Sequence, residues 1–179
     1  MGSKSTASMA AAALLAMALL VGAEVPRAAD AASGARGELT FASVAVRVAR
    51  VRVKAGVSFD DAVESMRLRA NLRNLKYVGV NQLSKEIEAL GGKPSRRIEI
   101  FSFCDALAAQ KMIDADAAML AYMPCRIGML EDAQGRIWIL AMLIDEAVIR
   151  ALPAAARESA QRVTATIQEV MVAAAAGDL

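Results

Sequence analysis

The chain has 179 residues, of which 56% are hydrophobic and 4% aromatic, enough for one domain with an aliphatic core. Its 21 Lys and Arg residues against 19 Asp and Glu residues give a net charge of +2, so the chain lacks the excess of basic residues that nucleic-acid binding requires. Histidine is absent, which excludes Ser-His-Asp and Cys-His catalysis, His-containing zinc sites and attachment of c-type haem.

The N-terminal segment is typical of a secretory signal peptide. A short polar start containing Lys4 is followed by an uncharged stretch over residues 9–23, and Ala29 and Ala31 then supply an A-x-A cleavage pattern. The uncharged stretch is shorter than the roughly 20 residues that span a bilayer, so cleavage is favoured over a membrane anchor.

These features predict three segments. We expect a signal peptide and processing region over residues 1–31, a linker over 32–45 and a single domain over 46–177. The mature domain is then periplasmic or secreted. If the segment is not cleaved, the protein stays anchored by its N-terminus on the periplasmic side, which is its one expected contact with the membrane.

The domain opens with "VRVARVRVKA", residues 46–55, in which Val alternates with Arg and Lys. This spacing predicts a half-exposed strand with a slip near Ala49. The basic row is interpreted as a solvated face, with a binding face as the alternative.

A helix follows in "SFDDAVESMR". Ser58 has the position of an N-cap, and Asp61 lies three residues on, as in a capping box. The adjacent acids Asp60 and Asp61 are attributed to the helix dipole and not to acid-base catalysis.

The next segments predict two strands of unequal clarity. A weak strand begins near Tyr77 and passes into a polar segment that ends at "GGKP". A clearer strand, "RRIEIFSFC", ends at Cys104. Its alternation predicts one face made of Ile98, Ile100, Ser102 and Cys104, and a second face made of Glu99, Phe101 and Phe103.

An inserted helix separates the two cysteines. Asp105 is in position to cap it, acids at residues 114–116 can divide it, and Pro124 stops it. Cys125 then opens the strand "CRIGMLE", which forms a hairpin with "RIWILAMLI" through a turn at Gly135.

The second hairpin strand is apolar on both faces, so each face needs a cover. A helix can cover one face, and self-association is the simplest cover for the other. A long amphipathic helix from Pro153 to Gly177 closes the chain. Together the elements predict an α+β fold with helices packed on an antiparallel sheet.

These residues resemble the bacterial and archaeal family catalogued as Domain of Unknown Function 302. Its pattern has a strand ending in Cys-Asn-Pro, a helix with an acidic break, then Leu-Pro-Cys and an apolar strand. Three groups match here, over a resemblance that spans residues 47–174: Cys104 with Asp105 and Ala106, residues 114–116, and Met123, Pro124 and Cys125 with Arg126.

The resemblance implies a two-layer fold of the TATA-binding-protein type, in the order strand, helix, four strands, helix, and it implies homodimers. It implies no agreed activity. The sequence departs from the family pattern where Asp105-Ala106 replaces Asn-Pro and Met123 replaces Leu. These departures weaken any inference from the family about a group bound near Cys104.

Three roles stay open for the cysteines. They can be buried packing thiols or a structural disulfide across the inserted helix, which an oxidising periplasm permits. They can form a ligand or metal site, in which Cys104, Cys125 and Met123, with Met112 or Met129, would suit Cu(I) or, less well, haem iron. They can exchange disulfides, since Cys104 precedes a helix N-terminus that can lower its pKa.

Two functional hypotheses result. The first is an exported, non-enzymatic domain that dimerises and binds a small ligand or a partner protein, such as a subunit of a membrane complex. The second is a thiol or metal-thiolate redox or carrier protein. The candidate site residues for both are Cys104, Asp105, Met123, Cys125 and Arg126.

Overall fold

The computed structural model describes residues 41, 43 and 45–178. The predicted signal peptide, its cleavage region and most of the linker lie outside the described residues. Among the residues that are described, no helix combines the length and the apolar character needed to cross a membrane.

The described chain alternates short strands with helices of very different length. In chain order these are β1 (Val46–Arg52), α1 (Phe59–Leu72), β2 (Lys76–Asn81), α2 (Leu83–Gly91), β3 (Ile98–Cys104), α3 (Ala106–Ala115), a 3-10 helix (Ala117–Tyr122), β4 (Cys125–Glu131), β5 (Ile137–Ile144), α4 (Glu146–Ala151) and α5 (Ala154–Ala176). The α+β class predicted from the sequence is confirmed.

The strands form one antiparallel sheet in the order β1-β5-β4-β3-β2. Phe103 of β3 pairs with Cys125 of β4, and Ile127 of β4 pairs with Ala141 of β5. Paired residues point to the same side of a sheet, so this register fixes which side chains share a face.

The inner face of the sheet carries the core. Its central side chains are Phe101, Phe103, Ile127, Met129 and Ile139, each no more than 2% exposed. The three longest helices cover this face: α5 lies against β1 and β5, and both α1 and α3 pack on α5. The apolar stripe predicted for α5 is confirmed, since Ala156, Ala160, Val163, Ile167, Val170 and Ala174 are all buried.

The helix boundaries follow the predicted capping residues. The Ser58 hydroxyl accepts a hydrogen bond from Asp61 N at 3.0 Å, and the Asp61 carboxylate accepts one from Ser58 N, so the capping box of α1 is confirmed. Asp105 caps α3, and Asp116 ends α3 and caps the 3-10 helix. The acidic break predicted at residues 114–116 is therefore confirmed.

The slip predicted near Ala49 is wrong. β1 pairs with β5 without interruption from Val46 to Arg52, so Val48 and Arg50 share one face while Ala49 and Val51 share the other. The basic residues of β1 are therefore divided between the two faces of the sheet. Arg47 lies on the inner side and donates to Glu146 at 2.8 Å.

The polar segment after β2 is a helix, α2, which the sequence did not indicate. The Ser84 hydroxyl near its start donates to the carbonyl of Ile98 at 3.3 Å, so the beginning of α2 lies beside β3 where β2 has ended. The short helix α4 was not predicted either.

Candidate functional site

A broad apolar cleft lies where β3 ends and α3 begins. Its volume is about 600 Å³ and it opens widely to solvent. The lining is apolar apart from a thiol, an amide and a carboxylate. The residues are Val78, Cys104, Ala106, Ala109, Gln110, Ile113, Asp114, Leu120, Met123 and Pro124. Cleft volumes of about 300–1,000 Å³ are typical of small-molecule sites.

A second, much smaller cavity lies between the sheet, α3 and α5. Its volume is about 20 Å³, and Met112, Met123 and Cys125 all contribute to its lining. The rest of the lining is apolar except for the hydroxyl groups of Tyr122 and Thr164. The Tyr122 hydroxyl donates to the carbonyl of Ala45 at 3.0 Å.

The two cysteines lie on neighbouring strands but line different cavities. Cys125 pairs with Phe103, and Cys104 is the next residue along β3. Alternation along β3 directs Cys104 to the side opposite Phe103, which is consistent with its place in the cleft. Both cysteines are free thiols, so the structure does not contain the disulfide that was one of the expected roles.

Both thiols are held in the protonated form at neutral pH. Burial raises the pKa of Cys125 to about 11, and the nearby Cys104 and Asp105 add to the rise. Burial also raises the pKa of Cys104, and the charge on Asp105 reinforces the effect. The lowered pKa that a helix N-terminus can give to Cys104 is not found, because loss of hydration and the charge on Asp105 raise this pKa.

The other predicted site residues are dispersed. Met123 lines both cavities, next to the cis peptide bond that it forms with Pro124. Asp105 lines neither; its carboxylate accepts from Ala108 N and lies 3.6 Å from the Arg162 guanidinium. Arg126 projects from the uncovered side of β4, away from α5.

In the described part of the chain, the buried carboxylate forms an ion pair. Among the described residues the buried charged side chain is Glu99, which accepts from Arg97 at 2.9 Å. Arg97 also donates to Asp60 at 2.7 Å and lies over the ring of Phe59. Within the part of the chain that is described, no group of three or more His, Cys, Asp or Glu side chains is arranged to hold a metal ion.

The side of the sheet opposite the core, here called the open face, is not covered by α1, α3 or α5. Its apolar members include Val48, which is 69% exposed, and Met142, which is 36% exposed. The charged strand residues that the register places on this face are all cations: Lys76, Arg50, Arg52 and Arg126. Arg50 lies over the ring of Trp138 on the same face.

The family model described as "Domain of unknown function DUF302" matches residues 50–174, which is more than half of the sequence. The chain belongs to the DUF302 family. The match includes both cysteines, α3 and the hairpin, so both cavities lie inside the DUF302 domain.

A solved structure supports the fold of this DUF302 domain. The crystal structure of an uncharacterized conserved protein DUF302 from Bacillus stearothermophilus is similar, with a TM-score of 0.59 and 13% identity. The similarity covers 70% of this chain and 96% of the other. No curated protein matches the sequence.

The sequence did not identify most of the cleft. Val78, Ala109, Ile113 and Leu120 carry no polar chemistry, so nothing in their residue types marks them as a binding site. The signal available in the sequence was Leu120, a large apolar residue that follows the acidic break. In the structure its side chain is 60% exposed.

Proposed function

We propose that this DUF302 domain is a non-enzymatic binding domain that takes a small, largely apolar ligand in the cleft beside Cys104. The observation that carries the proposal is the cleft itself, about 600 Å³ in volume and apolar over most of its lining. Large apolar concavities with a few convergent polar groups are the usual form of ligand sites.

The polar groups of the cleft narrow the ligand chemistry. Gln110 can donate and accept hydrogen bonds, and Asp114 can accept them or pair with a cation. A ligand with an apolar body and one neutral or cationic polar group fits this lining better than an anion does. Disulfide exchange has weaker support, because it needs a thiolate and the pKa of each cysteine is raised.

A neutral fluorescent probe, N-phenyl-1-naphthylamine, tests the proposal. We expect its emission to rise on binding, and we expect Ala106→Phe to weaken binding by about tenfold because the ring occupies the cleft. Leu107→Phe is the matched control, since Leu107 is the next residue on α3, is 74% exposed and does not line the cleft. Equal affinity of the two variants would contradict the proposal.

We further propose that the domain forms a homodimer through its open face. Exposed apolar strand residues beside half-buried ones such as Leu140 favour burial against a second surface. We also propose that the domain has a variant of the TATA-binding-protein type of fold, in which α2 and α3 are inserted between strands.

Analytical ultracentrifugation tests the dimer. Val48→Lys is expected to weaken self-association by about tenfold or more, because a charge would be buried in an apolar contact. Leu72→Lys is the control, since Leu72 is 73% exposed but belongs to α1. Added salt is expected to strengthen the dimer by roughly two- to fivefold, because it screens the repulsion between the cations of the two open faces. A protein that stays monomeric at high concentration would refute the proposal.

Export to the periplasm is part of the same proposal. It is supported by the uncharged stretch at residues 9–23 and the A-x-A pattern that follows it. N-terminal sequencing of the protein isolated from its host tests it. A mature chain that begins near residue 24 or 32 is expected, and an intact Met1 would contradict cleavage.

A further inference from the structure

The small cavity that Cys125 lines is separate from the cleft proposed for the apolar ligand. Its volume is about 20 Å³. A cavity needs roughly 10–15 Å³ to hold one water-sized sphere, so this one has room for a single ion and excludes a haem at Cys125.

Four sulfur-bearing residues line this cavity. Met142 belongs to β5, where the register directs its side chain to the open face, and the other three come from different elements. Met112 comes from α3 and is 3% exposed, Met123 precedes β4, and Cys125 opens β4. No carboxylate or amide is among the residues that line the cavity. One thiol with two thioethers is a soft donor set, which selects Cu(I) or Ag(I) over Mg²⁺, Ca²⁺ or Mn²⁺.

We propose that Cys125, Met112 and Met123 form a binding site for one soft monovalent metal ion, Cu(I) in the first instance. When the ion binds, the S–H bond of Cys125 breaks, the proton leaves to solvent, and a sulfur–metal bond forms. The metal keeps its oxidation state, so no oxidant or reductant is consumed.

The site differs from a shared two-cysteine site. Cys104 lines the cleft, while Cys125 lines the small cavity, and Met123 alone of the three residues Cys104, Cys125 and Met123 borders both. Met129, although it lies on the same strand as Cys125 and is completely buried, does not line the cavity. Cys104 and Met129 are therefore matched controls for the thiol and the thioethers.

An anaerobic titration of the reduced full-length protein with Cu(I), in competition with bicinchoninate, tests the site. We expect one Cu(I) for each chain, a loss of affinity of about 100-fold or more in Cys125→Ser, and about tenfold in Met112→Leu and in Met123→Leu. Cys104→Ser and Met129→Leu are expected to bind Cu(I) as the unaltered protein does. Thermal melts of each variant without metal monitor folding.

Several results would overturn the proposal. One is Cys104→Ser losing as much affinity as Cys125→Ser, which would indicate a shared thiol pair. A second is Met112→Leu and Met123→Leu behaving as Met129→Leu does. If Cys125→Ser does not fold, the two methionine variants decide the question, and Cu(I) affinities of Met112→Leu and Met123→Leu equal to that of the unaltered protein would refute the site.

Discussion

The two faces of the sheet are built from the same five strands and have opposite surroundings. On the inner face Ile139 is completely buried beneath the helices, whereas Met142, on the open face of the same strand, is 36% exposed. β5 is apolar on both sides, so the residue types of this strand do not distinguish the faces. The position of α5 distinguishes them, since it lies across β1 and β5 on one side only. Apolar character in a strand therefore indicates a need for cover without identifying the cover.

The largest effect that tests this comparison is a truncation on the inner face. Phe103→Ala is expected to lower the free energy of unfolding by about 3–5 kcal/mol, because it removes a fully buried ring and leaves a cavity. Val48→Ala on the open face is expected to change it by no more than about 0.5 kcal/mol. Urea denaturation at low protein concentration measures both. A Val48→Ala variant as unstable as Phe103→Ala would mean that the open face is covered within the monomer.

A smaller effect is expected from the helix that covers the inner face. Ser58→Ala removes the hydroxyl that accepts from Asp61 N, and it is expected to cost about 1 kcal/mol of stability. Ser102→Ala, a serine that the register places on the open face, is expected to stay within about 0.5 kcal/mol of the unaltered protein. Urea midpoints at constant slope measure the difference, and equal midpoints for the two variants would show that the capping box adds nothing.

The smallest effect concerns the hairpin turn beside the open face. Desolvation acts to raise the pKa of Asp132, but hydrogen bonds from Trp138, Arg136 and Gln134 outweigh it and hold this pKa well below its usual range. A lowered pKa in the folded state gives stability that is present above the pKa of the unfolded chain, near 4, and is lost as the pH falls further. The stability difference between the protein and Asp132→Asn is therefore expected to shrink from pH 6 to pH 3. A difference that is the same at both pH values would contradict this role for Asp132.

Local signals predicted those elements in which a single residue has a strong conformational preference. Ser58 and Asp105 have the predicted caps, Gly135 and Gly177 have positive φ angles of 71°, and both lie where a turn and a helix end were expected. The alternation of β3 was clear because both of its faces were distinct in residue type. In each case the physical cause acts within a few residues of the chain.

Other features depend on contacts between distant segments, and the sequence did not predict them. α2 has a polar sequence, and Ser84 bonds to the carbonyl of Ile98 only because β2 stops beside β3. The raised pKa of Cys104 depends on burial at the end of the sheet. The position of Cys104 before a helix N-terminus favoured a lowered pKa instead. The separation of the two thiols into different cavities follows from the pairing of Phe103 with Cys125, which one sequence does not specify.

Met123 borders both the cleft and the small cavity. If both proposed sites bind their occupants, an occupant of one site would change the packing of this side chain, and so would change the free energy of filling the other site. Linkage requires the effect to be reciprocal: if an apolar ligand tightens Cu(I) binding by some factor, Cu(I) must tighten the ligand by the same factor. A flexible thioether shared by two sites would thus make the domain respond to the combination of both occupants and not to each of them separately.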